Sequence, residues 1–244
     1  TFVDPVLMRA VGPSLARFGV TGFLPDPTIS LHRGNTLLAT ADNWFGSSPG
    51  ATDGISPRFG AFQLNPGAPE AVLSSIMLNR GAYTVQVGSA VANQTGIALA
   101  EIYDSPTAGP DARQLVNLSA RTQVGTGDNI LVAGFVISGT TARSVLIRAA
   151  GPVLSTFGVT GVLSDPKLTL YRGATVIAEN DNWQTNADLV NTFARTGAFE
   201  FIARSKDAVL LLTLPPGDYT AQVSGAGTGT AATGVALVEV YTLP

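Results

Sequence analysis

Apolar and polar residues alternate along this chain in short runs, each closed by Gly, Pro, Asn or Asp. In Asp218-Tyr-Thr-Ala-Gln-Val223 the alternation puts Tyr219, Ala221 and Val223 on one face, as in a half-buried antiparallel strand. Runs of this kind predict strands near 115–123, 130–137, 144–149, 167–172, 175–180, 198–203, 207–214, 218–224 and 233–241. Turn chemistry separates them: Arg172-Gly173, Pro215-Pro216-Gly217 and the glycine-rich stretch 225–229. Helical periodicity is confined to two short pieces. One is Gly12–Gly19, with Pro13 at a first helical position and Gly19 as a stop; the other is Asn186–Arg195. The pattern is that of an all-β protein.

The pattern is also written twice. Residues 9–44 align without gaps to 148–183, with 21 identities in 36 positions. Arg9/Arg148, Gly12/Gly151, Asp26/Asp165 and the run Asp42-Asn43-Trp44/Asp181-Asn182-Trp183 are among them. Farther on, Gly81–Val87 answers Gly217–Val223, and Gly96–Tyr103 answers Gly234–Tyr241. A duplication of this extent predicts two tandem antiparallel β-sandwich domains of jelly-roll-like type, 1–112 and 113–244. The copies differ at their starts. Residues 113–147 carry two alternating leader runs ahead of the second copy, whereas the first has only Thr1–Pro5 before its matching strand. The first domain is therefore expected to lack the leader strands, which either a longer array or another molecule would supply.

Composition narrows the function. Charged residues make up 13% of the chain, hydrophobic residues 45%, and there is no Cys and one His. No disulfide framework or Cys-ligated metal is available. With 14 basic against 17 acidic residues there is no basic excess for nucleic acid. No apolar run is long enough to form a membrane-spanning helix, so no membrane insertion is expected. A Ser-His-Asp site would need His32, whose counterpart in the second copy is Tyr171; Ser14 is answered by Val153. A glycosidase needs only two carboxylates, but no pair is marked. A non-enzyme is expected.

Three groups of residues remain as candidates. Glu179, Asp181 and Asn182, with Asp42 and Asn43 in the first copy, form oxygen-rich loops of the kind a hard cation takes, making calcium the candidate metal. Asp26, Asp165 or Asp188 would add ligands if folded nearby; the competing reading is that these residues cap turns. Trp44 and Trp183 suit core packing or a sugar-stacking platform shared with Tyr83 and Tyr219. Arg9 and Arg148 lie inside apolar strands and call for buried acids, for which Glu101 and Glu239 recur in register in both copies.

Asp165-Pro-Lys-Leu-Thr-Leu-Tyr171, Ala178–Trp183, Leu214–Val223 and Gly234–Tyr241 together resemble the bacterial pre-peptidase C-terminal type of β-sandwich. The Arg-x-x-Gly-Pro pattern with its leader is similar to repeats of large secreted or surface proteins. The resemblance implies a secreted, non-catalytic accessory domain that binds carbohydrate, protein or its own copies, with calcium in some relatives. The expected function is an extracellular structural or adhesive repeat protein of a bacterial surface. It would self-associate with identical subunits into a fibre by β-strand complementation. The alternative is a polysaccharide- or protein-binding accessory module of a secreted hydrolase.

Overall fold

The structure, a computed structural model, describes residues 5–44, 54–104 and 116–243. The chain divides into two compact units, Thr1–Leu115 and Val116–Pro244. Both are antiparallel β-sandwiches.

The second unit has eight strands. They are β7 (Asn117–Val124), β8 (Leu131–Ile137), β9 (Arg143–Ala150), β10 (Pro166–Arg172), β11 (Thr175–Asn180), β12 (Ala208–Leu214), β13 (Gly217–Gly225) and β14 (Gly234–Thr242). One sheet has the order β12-β9-β14-β7 and the other β11-β10-β13-β8. Apart from the β10–β11 hairpin, successive strands cross between the sheets in the manner of a jelly roll. The core is filled from both sheets: Ile147, Val145, Ala236, Val238 and Val240 from one, and Leu168, Leu170, Tyr219, Ala221 and Val223 from the other. Val124, Leu131, Ala133 and Ile137 of the β7–β8 pair belong to the same core. The loop joining that pair closes through Gly125 N–H donating to Asn129 O at 2.6 Å.

Among the described residues the first unit repeats this plan without the opening pair. Its strands are β1 (Pro5–Val11), β2 (Pro27–Arg33), β3 (Thr36–Ala41), β4 (Ala71–Met77), β5 (Thr84–Ser89) and β6 (Leu99–Tyr103). The sheets run β4-β1-β6 and β3-β2-β5. Strand for strand this is the order of the second unit with β7 and β8 removed.

Two local devices recur. In each unit the strand carrying the buried arginine runs into a 3-10 turn, Pro13–Phe18 or Pro152–Phe157. The glycine just before the turn admits no side chain: a Cβ on Gly12 would lie 1.9 Å from Leu24 O, and one on Gly151 would lie 2.2 Å from Leu163 O. A buried acid caps the turn. Glu70 accepts from Gly12 N and Ser14 N at 2.6 Å each, and Asp207 accepts from Gly151 N at 2.7 Å.

The helical piece near 186 is an α-helix, α1 (Ala187–Thr196). Asn186 Oδ1 accepts from Leu189 N at 2.9 Å as its N-cap, and Gly197 ends it with φ 73°. In the corresponding place the described residues of the first unit hold the 3-10 turn Ser56–Phe59.

One expectation fails. Residues 198–203 are not a strand. Their carbonyls serve side chains instead of a ladder: Phe199 O accepts from Arg148 Nη1 at 2.5 Å, and Ile202 O from Trp183 Nε1 at 3.1 Å. The alternation of Phe199 and Phe201 reflects packing around those two side chains, which strand periodicity imitates.

Candidate functional site

The first side-chain constellation surrounds the buried arginines. Arg148 Nε donates to Glu239 Oε2 at 2.9 Å, and Nη2 donates to the same oxygen at 2.5 Å. Its guanidinium lies over the rings of Phe199 and Phe201, 4.3 Å from each centroid, and 4.6 Å from that of Phe193. Tyr241 Oη donates to Glu239 Oε1 at 2.6 Å. Burial, and then the carboxylate it donates to, push the Tyr241 hydroxyl well above the ordinary tyrosine range. The first unit repeats the set. Arg9 Nε donates to Glu101 Oε2 at 2.9 Å, and Tyr103 Oη donates to Glu101 Oε1 at 2.5 Å. Where Phe193 packs on Arg148, Ser56 Oγ accepts from Arg9 Nη1 at 2.7 Å, so a hydroxyl replaces a ring. With both arginine side chains fully enclosed, the set organises the core. It presents no reacting group to a ligand.

The oxygen-rich loops are dispersed. Glu179 pairs with Lys167 at 2.9 Å and accepts from Thr169 Oγ1 at 3.1 Å. The lysine holds its carboxyl below the usual range. Asn180 Oδ1 caps Val209 N at 2.9 Å, and its Nδ2 donates to Asn182 O at 3.2 Å. Asp181, Asn182, Asp42 and Asn43 are exposed. Asp165 bonds to Lys206, and Asp188 lies in the first turn of α1. Burial, followed by the neighbouring Asp42, raises the pKa of Asp26. Among the described residues no three His, Cys, Asp or Glu side chains converge.

Trp183 is buried, its indole donating to Ile202 O and Ser205 Oγ and its ring packed on Phe193 and Phe201. That face is not open to a sugar. Trp44 is half-buried and packs on the small cluster around Val11, Leu15 and Leu64. His32 Nε2 lies 3.0 Å from Ser30 Oγ on β2.

The feature that separates the two units is the side of the sandwich where β7 and β8 lie. In the second unit β7 pairs with β14 from Tyr241↔Asn117 to Gly234↔Val124, and β8 pairs with β13 from Gly217↔Ile137 to Val223↔Leu131. In the first unit the matching strands, β6 and β5, are sheet edges among the described residues. Side chains that are buried in one unit are uncovered in the other. Val223 is 0% exposed and its counterpart Val87 is 36% exposed; Val238 is 1% exposed and its counterpart Ala100 is exposed. Val85, Ile102 and Tyr103 are half-buried where Ala221, Val240 and Tyr241 are buried. An edge with unpaired backbone groups above an uncovered core is a template for strand addition.

Sequence reading did not find the buried caps Glu70 and Asp207. The signal was present, since Glu70-Ala-Val-Leu73 and Asp207-Ala-Val-Leu210 both put an acid directly before an apolar strand.

No family model matches the chain, and no curated protein matches it.

Proposed function

We propose that this chain is a non-catalytic extracellular structural or adhesive repeat protein, of the secreted bacterial β-sandwich kind its sequence resembles. Its first unit joins a neighbouring subunit by β-strand complementation, and repetition of that contact builds a surface fibre. The supporting observation is the contrast within one chain. Among the described residues the same framework is closed by β7 and β8 in the second unit, whereas β5 and β6 are sheet edges in the first. A contact between an open edge on one subunit and a different surface on the next is heterologous, and it propagates unless the rotation closes a ring. Enclosure of the Arg148–Glu239 and Arg9–Glu101 sets supports a structural role for the only buried charge pairs among the described residues. The burial of Trp183 weighs against a sugar-stacking accessory module.

Sedimentation velocity over a concentration series, followed by negative-stain electron microscopy of the heaviest fraction, tests this reading. Species growing with concentration into regular fibres are expected. A single species of monomer mass at the highest concentration reached, with both units folded, overturns it.

A further inference from the structure

We infer that Asn93 is a glycosylation site. Its side-chain amide accepts a sugar activated through a phosphate at C1, transferred by an enzyme that meets the chain on its way out of the cell. The inference rests on the extracellular reading above.

Asn93-Gln94-Thr95 is an acceptor triplet, Asn-x-Thr with a middle residue other than Pro. It stands in the turn between β5 and β6. Asn93 takes the left-handed backbone, φ 61°, a region in which Asn is enriched. The turn is anchored around it. Ala90 N donates to Asp26 O at 3.0 Å, Val91 N to Ser89 Oγ at 3.2 Å, and Gln94 N to Val91 O at 3.3 Å. Gln94 Oε1 accepts from Ser89 Oγ at 3.0 Å. The middle residue of the triplet is thus held against the protein and half-buried, while Asn93 and Thr95, the two residues a transferase reads, are exposed. Among the described residues the Asn93 amide has no hydrogen-bond partner to give up.

Exposure of this turn does not depend on what lies beside β5 and β6. In the second unit, with β7 and β8 in place, Ala226, Thr228 and Gly229 of the corresponding loop are exposed as well.

The chain carries a second triplet, Asn117-Leu118-Ser119, which serves as an internal contrast. It lies within β7, where Asn117 pairs with Tyr241 and Ser119 with Glu239 across to β14. Asn117 Nδ2 donates to Val240 O at 3.4 Å. To enter a transferase this triplet must leave a strand ladder, whereas the turn at Asn93 breaks no ladder. Asn93 is therefore the site and Asn117 is not.

In the transfer a bond forms between Asn93 Nδ2 and C1 of the sugar, and the bond from C1 to the phosphate oxygen breaks. The phosphate leaves with its carrier, and the amide proton passes to a base of the enzyme. A lipid-linked oligosaccharide and a nucleotide-linked hexose share this chemistry; the mass added to the protein separates them.

The test uses the full chain from the cells that make it, purified separately from the exported and the cytosolic fractions and digested with trypsin. Cleavage after the arginines separates the triplets, since Asn93 is the sole Asn of residues 81–113 and Asn117 the sole Asn of 114–121. Mass spectrometry should find a sugar increment at Asn93 in the exported chain and none on 114–121. Thr95→Ala should abolish the increment and Thr95→Ser should keep it, a rescue that depends on the hydroxyl and not on the fold. An exported chain bare at Asn93 overturns the inference and leaves the extracellular reading standing. A chain confined to the cytosol removes that reading and, if bare, the inference with it. An increment that survives Thr95→Ala, or one on 114–121 in place of 81–113, also overturns the inference.

Discussion

Neutralising Glu239 by Glu239→Gln should destabilise the second unit more than any conservative surface change. The glutamine can refill the volume and offer an acceptor to Arg148 Nε and Nη2, now 2.9 and 2.5 Å from Oε2. It cannot supply the countercharge. The arginine side chain is 0% exposed and the glutamate 5%, so water cannot compensate. Breaking a buried pair from one side costs about 3–5 kcal/mol. For a unit of this size about 1 kcal/mol shifts the melting point by roughly 3–4 °C, which gives a fall of about 10–20 °C. The double variant Arg148→Met/Glu239→Leu is the control. It removes both charges, puts apolar atoms against Phe193, Phe199 and Phe201, and leaves only Phe199 O and Tyr241 Oη to find new partners. It should be less damaging than the single variant, because no isolated charge stays buried. Differential scanning calorimetry and urea unfolding of the full chain give both values. A Glu239→Gln effect below about 1 kcal/mol, or a double variant worse than the single, refutes the argument. In the first unit Glu101→Gln should cost less than Glu239→Gln, because Glu101 borders the open side and is half-buried.

Two further outcomes follow from the same geometry. Gly151→Ala should lower the stability of the second unit by several kcal/mol, since its Cβ would sit 2.2 Å from the Leu163 carbonyl and backbone rather than a flexible side chain must yield; thermal unfolding within about 1 kcal/mol of the parent contradicts this. Stability should also fall above pH ~10: Tyr103 and Tyr241 hold their protons past the ordinary tyrosine range in the folded state, while the unfolded chain releases them near pH ~10. The stability they contribute is complete below that pH and is lost as pH rises, by up to about 1.4 kcal/mol per pH unit for each group. Tyr241→Phe should flatten the alkaline slope of the second unit's urea midpoint, and an unchanged slope would show that Tyr241 is not the titrating group.

The duplication and the strand pattern were legible because period-two alternation and repeated turn residues act locally. Sheet order was not, since pairing of β9 with both β12 and β14 depends on contacts distant in sequence. The false strand at 198–203 arose where rings spaced two apart pack on a guanidinium, which leaves the same period as a pleat. Arg148 and Glu239 could be matched because a charge inside an apolar strand demands a partner, and both recur in register. Residue type in the 179–182 loop gave a cation reading, but it did not reveal that Asn180 Oδ1 accepts from Val209 N or that Glu179 pairs with Lys167, since both partners are distant in sequence. The strands ahead of the second copy were visible as two alternating runs. Which side chains β7 and β8 cover required the register.

The most direct test of the central claim, that β5 and β6 form an open side made to be covered, is amide hydrogen exchange along the full chain at low and at assembling concentration. At low concentration the amides of 84–89 and 99–103 should exchange well ahead of those of 217–225 and 234–242, and assembly should slow the first set selectively. Equal protection of the two sets in the dilute chain, or assembly that leaves 84–89 and 99–103 unchanged, would contradict the account.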